Sequence, residues 1–208
     1  MVHFPIGIYK EQVTMIKKYK PNSLQELKEL VSDKSVHLGD IDTSLITDMT
    51  ELFKDSTRKN FDGLETWDTS NVTTMKGMFF NHPIGDWDVS KVENMSYMFC
   101  EAPAFNQPLE KWDVSNVCNM KAMLHFAKSF NQPLNGWDMS GVGIIWAMFA
   151  GAKSFNQPLD KWILPISVKC STHSPNVMSS TRISTRGIRR TSKIWTACST
   201  VRKASTSR

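Results

Sequence analysis

Five aspartates, Asp42, Asp68, Asp88, Asp113 and Asp138, recur at intervals of 26, 20, 25 and 25 residues. Carboxylates stacked one above another repel unless each finds a donor or a cation. Calcium is one answer, and it needs several oxygens around each ion. The other is a hydrogen bond that each carboxylate accepts from an amide of its own turn, which aspartate forms readily and which suffices here. The remaining reactive types do not converge. Cys100, Cys118, Cys170 and Cys198 show no CxxC spacing and no His at a ligand offset, so they read as free thiols rather than a zinc site or a disulfide framework. His3, His37, His82, His125 and His173 occupy unrelated positions. There is no Gly-rich phosphate loop, zinc motif or nucleophile elbow. The sequence predicts a non-enzyme with no catalytic residue, no metal and no cofactor.

The spacing of the aspartates belongs to a larger pattern. Each precedes or follows the same neighbours, and the tryptophans set the frame: Trp67, Trp87, Trp112, Trp137 and Trp162. Counting from each Trp as station 0, Ser70, Ser90, Ser115 and Ser140 stand at +3, and Val72, Val92, Val117 and Val142 at +5. Met75, Met95, Met120 and Ile145 stand at +8, Met78, Met98, Met123 and Met148 at +11, and Phe79, Phe99, Leu124 and Phe149 at +12. Phe-Asn-Gln-Pro-Leu occurs verbatim at 105–109, 130–134 and 155–159. An earlier unit starts at Ile41, with Leu52 and Phe53 in the Met-Phe stations, so five units begin at 41, 67, 87, 112 and 137. The second has 20 residues, having lost the connector that elsewhere separates its two phenylalanines. A fixed period in this range signals a stack of repeats, because one unit cannot bury its apolar face alone.

Apolar stations at +5, +8, +11 and +12 match one face of a short helix, with the +3 serine near its N-cap. Proline in the Phe-Asn-Gln-Pro-Leu turn leads into an extended stretch around the Trp, read as a strand of two to four residues pairing in parallel with its neighbours. The expected fold is therefore an α/β repeat, a leucine-rich-repeat-like solenoid with short parallel strands and short helices. The Trp, Met and Phe stations should form rows, and Asn81, Asn106, Asn131 and Asn156 a hydrogen-bonded ladder inside the turn. Residues 1–40 form a lead-in and helical cap, whose helix is read over 23–31 from Ser23 and the apolar Leu24, Leu27, Leu30 and Val31. Residues 41–162 hold the five repeats, and 163–208 an irregular tail.

That tail departs in composition. Residues 1–162 carry 16 Lys and Arg against 20 acidic side chains, a net charge of −4, whereas residues 163–208 carry nine basic side chains and no acidic one. A basic arm for nucleic acid or membrane is one reading and a disordered tail another. A third accounts for more. Joining the last base of each codon to the first two of the next permits, after Trp162, Asp-Ile-Thr-Asn-Ile-Ser-Lys-Met-Phe-Tyr-Ala-Phe, in the register of the repeat. At Gly187 it permits Trp, 25 residues after Trp162. The tail then reads as out-of-frame translation of at least one more unit, carrying no evolved nucleic-acid message.

Trp-Asp-Val-Ser-Asn-Val-x-Asn-Met-x-x-Met-Phe followed by Phe-Asn-Gln-Pro-Leu, clearest over Trp112–Leu134, closely resembles the repeat of the BspA-like leucine-rich-repeat surface proteins, also found in mycoplasma lipoproteins of a domain-of-unknown-function class. The resemblance covers residues 41–162. It implies a leucine-rich-repeat-like fold and roles in surface display, adhesion and protein binding, with no activity that transfers residue by residue. The expected function is a bacterial protein-binding or scaffold module, and the alternative a truncated, frameshifted fragment with a structural role and no partner. Stations that vary between units are candidates for contact: Thr66, Asp86, Lys111 and Gly136 before the Trp, and Asn71, Lys91, Asn116 and Gly141 after it. Trp146 stands where other units carry Lys76, Ser96 and Lys121, so it should face solvent. Trp146, Lys91, Lys111 and Lys121 are the candidate contact residues, for a protein partner or for self-association through an uncapped C-terminal coil. No apolar run is long enough for a transmembrane helix. The N-terminus reads as a poor signal peptide, so the family suggests the cell surface while this chain as it stands suggests the cytoplasm.

Overall fold

The computed structural model describes residues 17–78 and 81–165. Its one α-helix among them, α1, spans Leu24–Ser32. Ser23 caps it by accepting from the Glu26 amide at 3.3 Å, and the Glu26 carboxylate reaches back to the Asn22 amide at 2.9 Å. This is a capping-box exchange displaced by one residue, and it satisfies one open donor of the first turn and the amide just before the cap. Leu27 and Val31 bury one face of α1 against the first unit. Two short 3-10 turns follow, at Leu38–Asp40 and Leu64–Thr66.

The expected α/β architecture is overturned. Among the described residues the repeats contain no α-helix and no strand, and strand-like pairing between units is limited to isolated parallel bridges: Asp48 with Thr74, Thr74 with Asn94, Asn94 with Asn119, and Asn119 with Ile144. These bridges lie at +7, not in the stretch around the Trp where strands were expected. The helix fails at +10. Glu51, Tyr97, Ala122 and Ala147 stand there with φ of 54°, 60°, 50° and 57°, and Gly77 with 65°. A second left-handed residue follows at +14 in Asp55, Glu101, Phe126 and Gly151. A right-handed helix cannot pass through a left-handed residue. The three-residue spacing of the apolar stations instead comes from successive tight turns, such as Met98 N–H to Met95 O, Cys100 to Tyr97 and Ala102 to Phe99.

Between those turns the other amides point along the stack. Met95 N–H donates to Asn119 O, Tyr97 to Lys121 O, Phe99 to Met123 O and Glu101 to His125 O, at 2.8–2.9 Å. The next unit repeats the series: Met120 to Ile144 O, Ala122 to Trp146 O, Leu124 to Met148 O and Phe126 to Ala150 O. Alternation between a local and a neighbouring acceptor satisfies the backbone without a regular helix or sheet. At +6 the direction reverses. The amides of Thr73, Glu93, Cys118 and Gly143 donate to Thr47, Thr73, Glu93 and Cys118 carbonyls in the preceding unit.

The core lies inside these coils. Val72, Val92, Val117 and Val142 are wholly buried, as are Met49, Met75, Met95 and Met120. The Trp row stacks nearly parallel, with centroids 6.4 Å apart for Trp67 and Trp87 and 6.5 Å for Trp112 and Trp137. Phe105, Phe130 and Phe155 form a second row at 5.7 and 6.0 Å. Each indole N–H donates to the carbonyl three residues before the preceding unit's station 0: Trp67 to Leu38, Trp87 to Leu64, Trp112 to Ile84, Trp137 to Leu109 and Trp162 to Leu134, at 2.8–3.2 Å. A tryptophan buries a large ring only where its N–H finds an acceptor, and this carbonyl supplies one in every unit.

Candidate functional site

The aspartate row is held by its own turns. Each Oδ1 accepts from the amide two residues on: Asp42 from Ser44, Asp68 from Ser70, Asp88 from Ser90, Asp113 from Ser115 and Asp138 from Ser140, all at 2.9–3.0 Å. The +3 serine is thus the recipient of an Asx turn and not a helix cap. Asp42 also takes a 2.8 Å ion pair from Lys20, and this bond with those from Ser44 holds its carboxyl down at about 2. Ser90 and Ser140 depress Asp88 and Asp138 in the same way. No group of three or more His, Cys, Asp or Glu is placed to hold a metal among the described residues.

Of the four asparagines expected to form a ladder, Asn106, Asn131 and Asn156 do so, at the surface rather than inside the turn, and Asn81 does not join them. Asn106 Oδ1 accepts from the Asn131 amide at 2.9 Å and Asn131 Oδ1 from the Asn156 amide at 3.0 Å. Several stations taken as free to vary are likewise tied into the stack. Asn71 Nδ2 donates to Ser44 O at 2.9 Å, Asn116 Nδ2 to Ser90 O at 2.7 Å, and Lys17 Nζ to Thr66 Oγ1 at 2.9 Å. Gly141 sits so close to the preceding unit that a Cβ there would lie 3.0 Å from Ser115 O.

Of the four candidate contact residues, the structure joins two. Lys121 Nζ lies 5.0 Å from the Trp146 ring centroid and 5.3 Å from that of Tyr97, so one ammonium is held between aromatic rings of the units on either side. Trp146 is 37% exposed, as its station predicts. Each such contact near the surface stabilises by about 0.5–1 kcal/mol, enough to orient the rings. Lys91 and Lys111 stand elsewhere. Lys91 Nζ donates to Asn71 Oδ1 at 2.9 Å, and Lys111 pairs with Asp86 at 2.7 Å across exposed side chains. Tyr97 was missed because it follows the varying +9 station, and its left-handed φ of 60° is what places its ring against Lys121.

Two further groups carry no chemistry of their own. Cys100 Sγ lies 3.6 Å from His125 Nδ1, but burial, aided by the Glu101 carboxylate, pushes its thiol up to about 11, the opposite of nucleophilic activation. An open cleft of about 540 Å³ beside α1 has Lys18 and Lys20 along one side and Glu26, Glu29 and Asp33 along the other. Lys18 and Lys20 are themselves paired with Asp40 and Asp42 at 2.8 Å. Cys170, Cys198, His3, His173, the Phe79–Phe80 pair and the basic tail from 166 lie outside the described residues. No described helix is long and apolar enough to cross a membrane.

A family model described as a Mycoplasma protein of unknown function, DUF285, matches residues 22–83 and 80–180. Neither a curated protein nor a solved structure matches the chain.

Proposed function

The chain belongs to that Mycoplasma family, and from this premise we propose that it is a non-enzymatic protein-binding module of the BspA-like surface or adhesion type. The observation that carries the reading is the Tyr97–Lys121–Trp146 cluster. It joins an exposed indole, a phenol and a cation from three successive units on one wall of the stack. Aromatic side chains with a cation beside them are the chemistry that anchors protein interfaces. A stack that fixes them on successive coils presents them at little conformational cost. The repeat motif adds to this through its resemblance to BspA-like proteins.

The test is a binding experiment with a partner first identified by crosslinking to the intact chain. Trp146→Ala and Lys121→Ala should each weaken capture of that partner by about tenfold, the effect of losing one anchor, while thermal unfolding stays near that of the unaltered chain. Undiminished capture by both variants would remove the cluster from the interface.

One observation favours a second reading, a structural fragment without a partner. The repeat pattern ends abruptly after Trp162, and a shifted reading frame permits residues that would resume it. Resequencing the locus separates the two: an intact single frame, with no repeat coded in the alternative, sinks the fragment reading.

A further inference from the structure

The C-terminal face of the last unit presents a row of donors. At +8 and +10 the amides of Met49, Glu51, Met75, Gly77, Met95, Tyr97, Met120 and Ala122 all donate to a carbonyl of the following unit. Phe99 and Leu124 do the same at +12, and Glu101 and Phe126 at +14. The corresponding amides in the last unit belong to Ile145, Ala147, Phe149 and Gly151, and no described residue accepts from them. Nor does a described amide donate to Gly143 O, whose counterparts at +6 each accept from the next unit. Beside this row Ile145, Phe149 and Trp162 are only partly buried.

We infer that this face seats one further coil of the repeat's own chemistry, entering in cis through Trp162. It would run parallel to 137–162, offering carbonyls at +7, +9, +11 and +13 and apolar side chains at +5, +8 and +12. Its first stations are already filled. Trp162 Nε1 donates to Leu134 O at 2.8 Å, and Leu164 is buried at +2 as Val89, Val114 and Met139 are in earlier units. The family match continues past this point to residue 180. Ser167, Cys170 and Ser174 occupy the +5, +8 and +12 stations that follow, where the other units carry Val or Ile, Met or Ile, and Phe or Leu. A second copy of the chain fits the face poorly. Two such faces brought together about a two-fold axis oppose donors to donors, and a head-to-tail copy meets α1 covering the other end. The inference does not depend on the protein-binding reading.

The experiment inserts a copy of Asp113–Trp137 between Trp162 and Ile163 of the full chain and follows amide exchange by NMR. A parallel variant inserts a copy of Asp88–Trp112, so that misfolding of one insert does not decide the result. Exchange at Ile145, Ala147 and Phe149 should slow by about tenfold or more, and Tm should rise by about 5 °C. Unchanged exchange in both variants overturns the inference. So does protection of the same amides in the unaltered chain that grows with protein concentration, since that would assign the face to a second copy.

Discussion

The two ends of the stack are finished by different means. At the N-terminal end, residues 18–20 add a short parallel segment to the first unit, with Tyr19 bridging Ile41 and exchanging bonds with Asp40 and Asp42. Helix α1 then covers the apolar face, and Arg58 ties it down. Its guanidinium donates to Val31 O at 2.9 Å, to Val36 O at 3.2 Å and also to Asp33 O. These carbonyls lie at or just beyond the C-terminus of α1, where a helix leaves its acceptors open and favours a cation. At the C-terminal end no helix or clamp covers the coil 137–162 among the described residues, and Ile163 is 72% exposed. The stack thus carries a dedicated cap at one end, where carbonyls face outward, and presents open amides at the other among the described residues.

Substitutions at matched positions test that contrast. The largest effect is expected at the clamp: Arg58→Ala removes the hydrogen bonds that join α1 to the stack and should cost about 3 kcal/mol in a urea titration. A loss under about 0.5 kcal/mol would mean that apolar burial of Leu27 and Val31 alone holds the cap. Next come the indole bonds. Trp112→Phe leaves the Ile84 carbonyl buried and unpaired at a cost of about 1–2 kcal/mol, whereas Trp162→Phe at the looser end should cost less than half as much. Equal costs would show the two ends to be equally tight.

A smaller effect follows from Asp42. Its folded pKa is depressed by Lys20 and Ser44 to about 2, below the ordinary aspartate value. It therefore contributes stability that is present above about pH 4 and is lost as pH falls through 2. The contribution is about 1 kcal/mol once partial exposure is allowed for. Asp42→Asn should flatten that part of the acid limb in a pH-dependent melt, and an unchanged limb would reject the assignment. The smallest effect concerns the +14 station, Asp55 in the first unit and Gly151 in the last. Asp55→Gly should stabilise by about 0.5 kcal/mol, because glycine accepts φ of 57° without strain. Gly151→Ala should destabilise, since its Cβ would fall 2.2 Å from Phe126 Cδ1. Differential scanning calorimetry reads both signs.

How much of this was legible follows from what each residue type announces. The Trp, Val and Met stations showed which side chains share an interior, because burial demands apolar residues in any backbone conformation. They did not show the conformation. Spacings of three suit a helix and a chain of three-residue turns alike, and the residues that decide between them are at +10 Glu51, Tyr97, Ala122 and Ala147. None of these advertises a positive φ; Gly77 and Gly151 alone carried that signal. The serine at +3 misled for a related reason, since an Asx turn and a helix N-cap both draw on the same short polar side chains. In the candidate site Trp146 and Lys121 were visible because their station varies between units. Tyr97 was not, because only the left-handed backbone brings it to them. The indole bonds to Leu38, Leu64, Ile84, Leu109 and Leu134 left no trace in the sequence, as any residue offers a carbonyl.

The alternation of local and neighbouring hydrogen bonds bears on how the molecule would yield to tension. Pulled from its two ends, such a stack peels one coil at a time. Each 25-residue unit releases a contour of about 85 Å, and the 20-residue unit beginning at Trp67 about 68 Å. A single short step in a force–extension trace would mark how far the rupture had travelled and from which end it began.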